Sequence, residues 1–229
     1  MDEASELCND RHRSLEWIGM ARPRDFEEEE VLDRAMEVFW RRGYDGASMA
    51  ELTKAMELSS PSIYAAFGSK RGLFDAVLTR YRERRAGHRQ HLLGDATARE
   101  VAERFLFGAI EWLVDPGEPR GCLLIQAGTA IGVDNEDVPR AIVTLRGRTK
   151  ELLTERLARA QREGYLAESE DPAALARYLL MVFNGLALQA AEGMSKAELT
   201  DSAERALMSW PARPRRKSVA GSTRRKVKQ

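Results

Sequence analysis

Between Ser59 and Lys70 the chain reads SSPSIYAAFGSK. Serine hydroxyls, a phenol and an ammonium fall within one short stretch, separated by residues of little bulk. Such a set suits the surface of a nucleic-acid duplex better than a catalytic pocket. Ser60 and Ser62 can hydrogen-bond to base edges, and Pro61 and Ala65 can offer apolar contact to thymine methyls. The Tyr64 hydroxyl can reach a phosphate, unless the ring is a half-buried core tyrosine. Lys70 falls in the first turn of a helix, where a cation is mildly unfavourable. A phosphate bound there would offset that cost, because the helix end and the ammonium both attract it. The alternative for Lys70 is a solvated side chain with no role. Arg22 and Arg24 lie on an arm before the first helix and could enter a minor groove, or form a plain flexible arm.

Other chemistries find less support. His12, His88 and His91 are the only histidines. His88 and His91 stand near a helix end with no cysteine neighbour and no HExxH arrangement, so a solvated helix end is the better reading. No glycine-rich phosphate loop or nucleophile elbow occurs. No catalytic residue, metal ligand or cofactor is therefore assigned, and an enzyme is not expected. Cys8 and Cys122 are too few for a disulfide framework, which points to a reducing cytoplasm. Cys122 reads as an inert buried thiol rather than a redox-active one. No run of 18 apolar residues suggests a membrane span, and the acidic start does not resemble a signal peptide. The chain has 36 basic and 36 acidic residues. They are unevenly spread: 211–229 carries eight Lys or Arg and no acid, and Gly46 to Arg85 holds seven bases against four acids. A local basic platform is what matters for reading DNA.

The elements that would position these groups are short helices. Asp25 with Glu28 fits a capping box, followed by an apolar stripe through Val31, Leu32, Ala35, Met36 and Phe39 until Gly43 ends the helix. Ser48 with Glu51 opens a second helix, with Leu52 and Met56 inward. Ser59 caps a third, with Pro61 in its first turn, where a missing N–H costs nothing. Gly68 stops it, and Ser69 caps the next. Phe39, Leu52, Ile63, Phe67, Leu73 and Phe74 can share one small core. The spacing of the middle pair is that of a helix-turn-helix.

The run from Phe26 to Leu78 resembles the TetR family of bacterial transcriptional regulators. The resemblance rests on Phe39–Gly43–Tyr44, on Ser48-Met49-x-x-Leu52 and on Ile63-Tyr64-x-x-Phe67-x-x-Lys70-x-x-Leu73-Phe74. It implies a homodimer with two DNA-reading heads on an all-helical body, repressing a nearby operon and leaving a palindromic operator when a small molecule binds the body. Ser48 would start the second helix, Ser60 to Phe67 would be the recognition helix, and Tyr64 and Lys70 would clamp the backbone. Two positions depart from the family pattern. Glu57 stands where glycine is common and is expected to strain the turn. Ala66 stands where histidine is frequent, removing one contact.

The expected fold is therefore all-α: an N-terminal three-helix helix-turn-helix DNA-binding domain and a C-terminal helical ligand-binding and dimerisation domain. We delimit a disordered extension at 1–20 (with Met20 a possible natural start), the head at 21–70, the body at 71–210 and a basic disordered tail at 211–229. In the body, apolar stripes predict helices over 98–114, from Pro139 to Glu163, from Asp171 to about Glu192, and from Ser195 until Pro211. Arg82, Arg84 and Arg85 read as a solvated helix face. The last two helices, about 172–192 and 196–209, are expected to pair with their copies in a homodimer. Candidate walls for an effector pocket are Phe105, Ile110, Trp112, Cys122, Gln126 and Phe183, each also readable as ordinary core. The tail either adds phosphate attraction or only solubilises. The partners expected are a double-stranded DNA operator, a second copy and a small-molecule effector, with no membrane. The alternatives are a helical ligand-sensing or protein-interaction module without operator binding or, with less support, an enzyme.

Overall fold

Amphipathic stripes of two to seven turns, most of them opened or closed by a cap, make every described element a helix. The computed structural model describes residues 28–94, 96–129 and 137–212. Arg22, Arg24, Asp25, Cys8, His12, Met20 and the tail beyond 212 lie outside them. The helices are α1 (Glu28–Gly46), α2 (Met49–Met56), α3 (Ser60–Phe67), α4 (Lys70–Arg84), α5 (Ala86–Leu93), α6 (Ala98–Leu113), α7 (Leu123–Thr129), α8 (Asp137–Arg162), α9 (Pro172–Ala191) and α10 (Lys196–Met208).

The first three form a small tri-helical head. Its regular α1 breaks at Gly43, whose φ of 70° is a conformation that glycine adopts without strain. Ser48 and Glu51 form a reciprocal capping box at the start of α2. Ser59 accepts from the Ser62 amide to start α3, with Pro61 in its first turn. Phe39, Leu52, Ile63, Leu73 and Phe74 are fully buried together, with Phe67 half-buried against them. Phe39, Tyr44 and Phe74 form an aromatic cluster with centroids 4.9–6.1 Å apart.

The head is fused to the body through α1, which packs on both α4 and α7. Arg80 of α4 holds Asp33 of α1 in a two-pronged pair, at 3.1 and 3.2 Å. In the body, α6, α8, α9 and α10 surround an apolar centre that includes Leu106, Leu153, Leu179 and Leu199. Buried Arg156 of α8 donates to the carbonyls of Gly94 and Ala96, locking α8 onto the α5–α6 turn. Arg120 donates to the carbonyls of Ala190 and Met194, placing a cation at the C-terminal end of α9, where the helix dipole favours it. By length and composition α9 could cross a membrane. It instead packs against α6, α8 and α10.

Two sequence expectations about charge need correction. Arg85 is not on a solvated face, and Arg84, although exposed, is tied to an acid. Both pair with the buried Glu118 carboxylate, and Arg84 also reaches Asp33 at 3.4 Å. The physical reason is aromatic: the Arg85 guanidinium lies 4.5 Å from the Trp112 ring centre and 5.0 Å from that of Tyr81, so two rings shield it from water. His88 is not a solvated helix end either. Its ring rests on Gly108, where an added Cβ would come within 2.6 Å of it, and lies beside Phe105.

Candidate nucleic-acid interface and body cavity

What α3 shows to solvent follows from what it must bury. Ile63 is fully buried, so Pro61, Ser62, Tyr64, Ala65 and Ala66 on the remaining arc are exposed. Tyr64 is 47% exposed and is not a core tyrosine. Ser60 is half-buried. Ser59 and Ser48 are exposed, but their hydroxyls already serve as helix caps. Their first duty is to fix α2 and α3, and any nucleic-acid contact would be added to that.

The α2–α3 turn is tight because Glu57 takes the left-handed conformation, with φ 55° and ψ 32°. It is the only described non-glycine residue with positive φ. The strain expected from the sequence is present, and Arg34 holds the Glu57 carboxylate at 3.3 Å. The α3–α4 corner is equally constrained. A Cβ on Gly72 would lie 2.0 Å from the Phe67 carbonyl oxygen, so only glycine fits. Nothing in the sequence pattern singles out that position.

Lys70 is neither a plain solvated side chain nor bare. Its ammonium sits 4.7 Å over the Tyr44 ring, at the first turn of α4. Burial lowers its pKa from the ordinary lysine value, with Asp45 acting in the opposite direction. A partly desolvated ammonium beside a helix N-terminus is a suitable place for a phosphate oxygen. The basic excess between Gly46 and Arg85 is mostly taken up by acids of the protein itself. Arg71 pairs with Asp75, Arg80 with Asp33 and Glu29, and Arg84 and Arg85 with Glu118. Lys54 is exposed in the last turn of α2.

In the body, a cavity of about 610 Å³ opens between α4, α5, α6, α7, α8 and α9. Phe105, Trp112, Cys122 and Phe183 line it. Ile110 does not: it is 1% exposed and turned into the core. Gln126 also lies elsewhere, donating to the Arg120 carbonyl and lining a shallow depression beside Trp40. Helical spacing alone cannot tell which face of α6 or α7 meets the cavity. It also misses Arg85, His88 and Asn184 on the wall. The Cys122 thiol lies 3.3 Å from the Tyr81 hydroxyl, and burial pushes both groups above their ordinary pKa.

A tri-helical head with an exposed, small-residue second helix of its helix-turn-helix, joined to an all-helical body, defines a DNA-binding transcriptional regulator. Residues 31–77 match the family described as bacterial regulatory proteins, tetR family, and residues 102–207 match the tetracyclin repressor-like C-terminal domain. The chain belongs to the TetR family. It is 32% identical over 192 residues to the HTH-type transcriptional repressor ComR of Escherichia coli, covering 83% of this chain and 91% of that one. It is 47% identical over 60 residues to the repressor BdcR of the same organism, covering 26% of this chain and 30% of that one. Among solved structures, a cysteine-substituted CifR complexed with a 26-base-pair double-strand operator is 40% identical, with a TM-score of 0.79, covering 83% of this chain and 100% of that one.

Proposed function

We propose that the protein is a cytoplasmic, ligand-responsive repressor that binds a palindromic operator as a homodimer and releases it when a small molecule fills the body cavity. The likeness to operator-bound CifR along its full length is the observation that carries the operator-binding reading, and the likeness to the repressor ComR supports repression. Ser60, Pro61, Ser62 and Ala65 meet base edges, while Tyr64 and Lys70 hold phosphates on either side. Ser48 and Ser59 position the two helices, and Arg22 and Arg24 follow the adjacent minor groove. The division of labour falls near residue 70, although the apolar core runs across it through Leu73, Phe74 and Val77.

The dimer uses α9 and α10. Met181 and Leu188 on α9 and Met208 on α10 are exposed, at 70%, 47% and 81%, on helices whose other faces meet the core. Two heads are needed because one short helix reads few base pairs. Coupling runs through Arg85. It touches Trp112 on the cavity wall, and its guanidinium lies 5.9 Å from the ring of Trp40 in α1. A ligand against Trp112 shifts the Arg85–Glu118 pair and, with it, the seating of α1.

The test is a gel shift with the DNA flanking the protein's own gene, at about 0.15 M salt, where non-specific binding is weak. Specific retardation that is lost in Tyr64→Phe and Lys70→Ala supports the reading. Retardation indifferent to both substitutions contradicts it.

A further inference from the structure

Among the described residues, the charged side chains lining the body cavity are all basic. In a chain with equal numbers of acids and bases, no Asp or Glu is among its described lining residues, whereas Arg82, Arg85, Arg146, Arg148, Lys150 and Arg177 are. Arg85 is neutralised by Glu118 and Arg177 is 3.7 Å from Asp171. Arg146, Arg148 and Lys150 are exposed along α8 and have no acidic partner among the described residues. The rest of the wall is largely apolar and aromatic, with Phe183 against both Phe105 and Trp112 at centroid distances of 5.5 and 5.8 Å. The buried polar atoms left over there include two donors. The Trp112 indole N–H and the Arg85 Nε–H find no acceptor among the described residues.

Resting on the reading of this cavity as the effector site, we propose that its ligand is an amphipathic monoanion: a hydrophobic, aromatic-sized body bearing a carboxylate. The apolar body packs on Phe105, Trp112 and Phe183, and the carboxylate is drawn to the α8 cations at the mouth. An apolar floor with few polar groups is the usual make-up of a small-molecule site, and the volume suits such a ligand. A cation of the same shape meets several like charges and no acid among the described lining residues. A neutral analogue fills the floor but forgoes the charge. The rim also raises the local concentration of anions, because low-dielectric walls focus its field.

Three probes of one shape separate these cases: phenylbutyrate, its primary amide and phenylbutylamine. Calorimetric titration of the full chain at fixed ionic strength is expected to rank them carboxylate, amide, amine, with each step on the order of tenfold in Kd. The triple variant R146Q/R148Q/K150Q, altered only at exposed side chains, should bind carboxylate and amide about equally. Trp112→Phe, which trims the aromatic floor and leaves the α8 cations in place, should weaken all three probes alike and keep their ranking. An amine bound as tightly as the carboxylate, a triple variant that keeps the full preference, or no binding by any probe overturns the proposal. A gel shift run in parallel separates the two readings. Carboxylate binding without operator release upholds the ligand class and defeats the effector role. Release driven by the amine upholds the effector role and defeats the ligand class.

Discussion

At the scale of single residues, geometry reassigns several side chains that composition alone describes poorly. Glu57 is the clearest case. Its left-handed backbone costs a non-glycine residue about 1–2 kcal/mol, of which the exposed pair with Arg34 returns little. Glu57→Gly is expected to stabilise the protein by about 1 kcal/mol, read as a higher urea midpoint at unchanged slope. Gly72→Ala should act in the other direction, because the added methyl collides with the Phe67 carbonyl and must re-aim α3. DNA affinity should fall more than thermal stability does, and gel shift beside a melting curve separates the two. The ion pair of Arg85 and Glu118 is enclosed, with side chains 14% and 7% exposed. Burial lowers the Arg85 pKa while Glu118 raises it, and the net direction is upward, so the guanidinium stays charged. Glu118→Gln therefore leaves a buried cation without its counter-charge, at a cost of about 3–5 kcal/mol by thermal or urea unfolding.

At the scale of elements, caps account for most of what the order of amino acids reveals by itself. Ser48 with Glu51 and Ser195 with Glu198 open α2 and α10 as reciprocal boxes, and Gly43, Gly68 and Gly164 mark ends with positive φ. Those signals are local, so the sequence carries them openly. The α3 residues are legible for the same reason: once Ile63 is placed inward, its neighbours' exposure follows. Long-range facts are not legible. That Arg84 and Arg85 close on Glu118 requires a loop thirty-odd residues away to return to α4, and no spacing encodes that. Nor does periodicity say that Ile110 turns inward while Trp112 reaches the cavity. The caps also make a pH prediction. The Ser48 amide and hydroxyl hold the Glu51 carboxyl below its ordinary pKa. A depressed carboxylate stabilises the fold above its unfolded value and loses that contribution as pH falls through the folded one. The stability gap between the protein and Glu51→Gln should thus be present near neutrality and close on acidification to below about pH 4, followed by helical circular dichroism. Ser48→Ala should cost about 1 kcal/mol by the same readout.

For the molecule as a whole, a family head, a body cavity whose described lining carries bases and no acid, and a pair of helices with exposed apolar side chains support one account: a dimer that reads two half-sites and senses a ligand. Among the described residues only a few cations of the head face outward, so the account requires both heads to act together for tight binding. Loss of the Lys70 ammonium should lower the slope of log affinity against log salt by about one per head, whereas Tyr64→Phe should weaken binding with little change in slope. The most direct test is footprinting of the intact protein on the DNA flanking its own gene, with the oligomeric state measured in the same buffer. The account predicts a dimer protecting two symmetric half-sites about one helical turn apart, with protection lost in Lys70→Ala. A folded dimer that protects no site, or one whose protection survives that substitution unchanged, contradicts it.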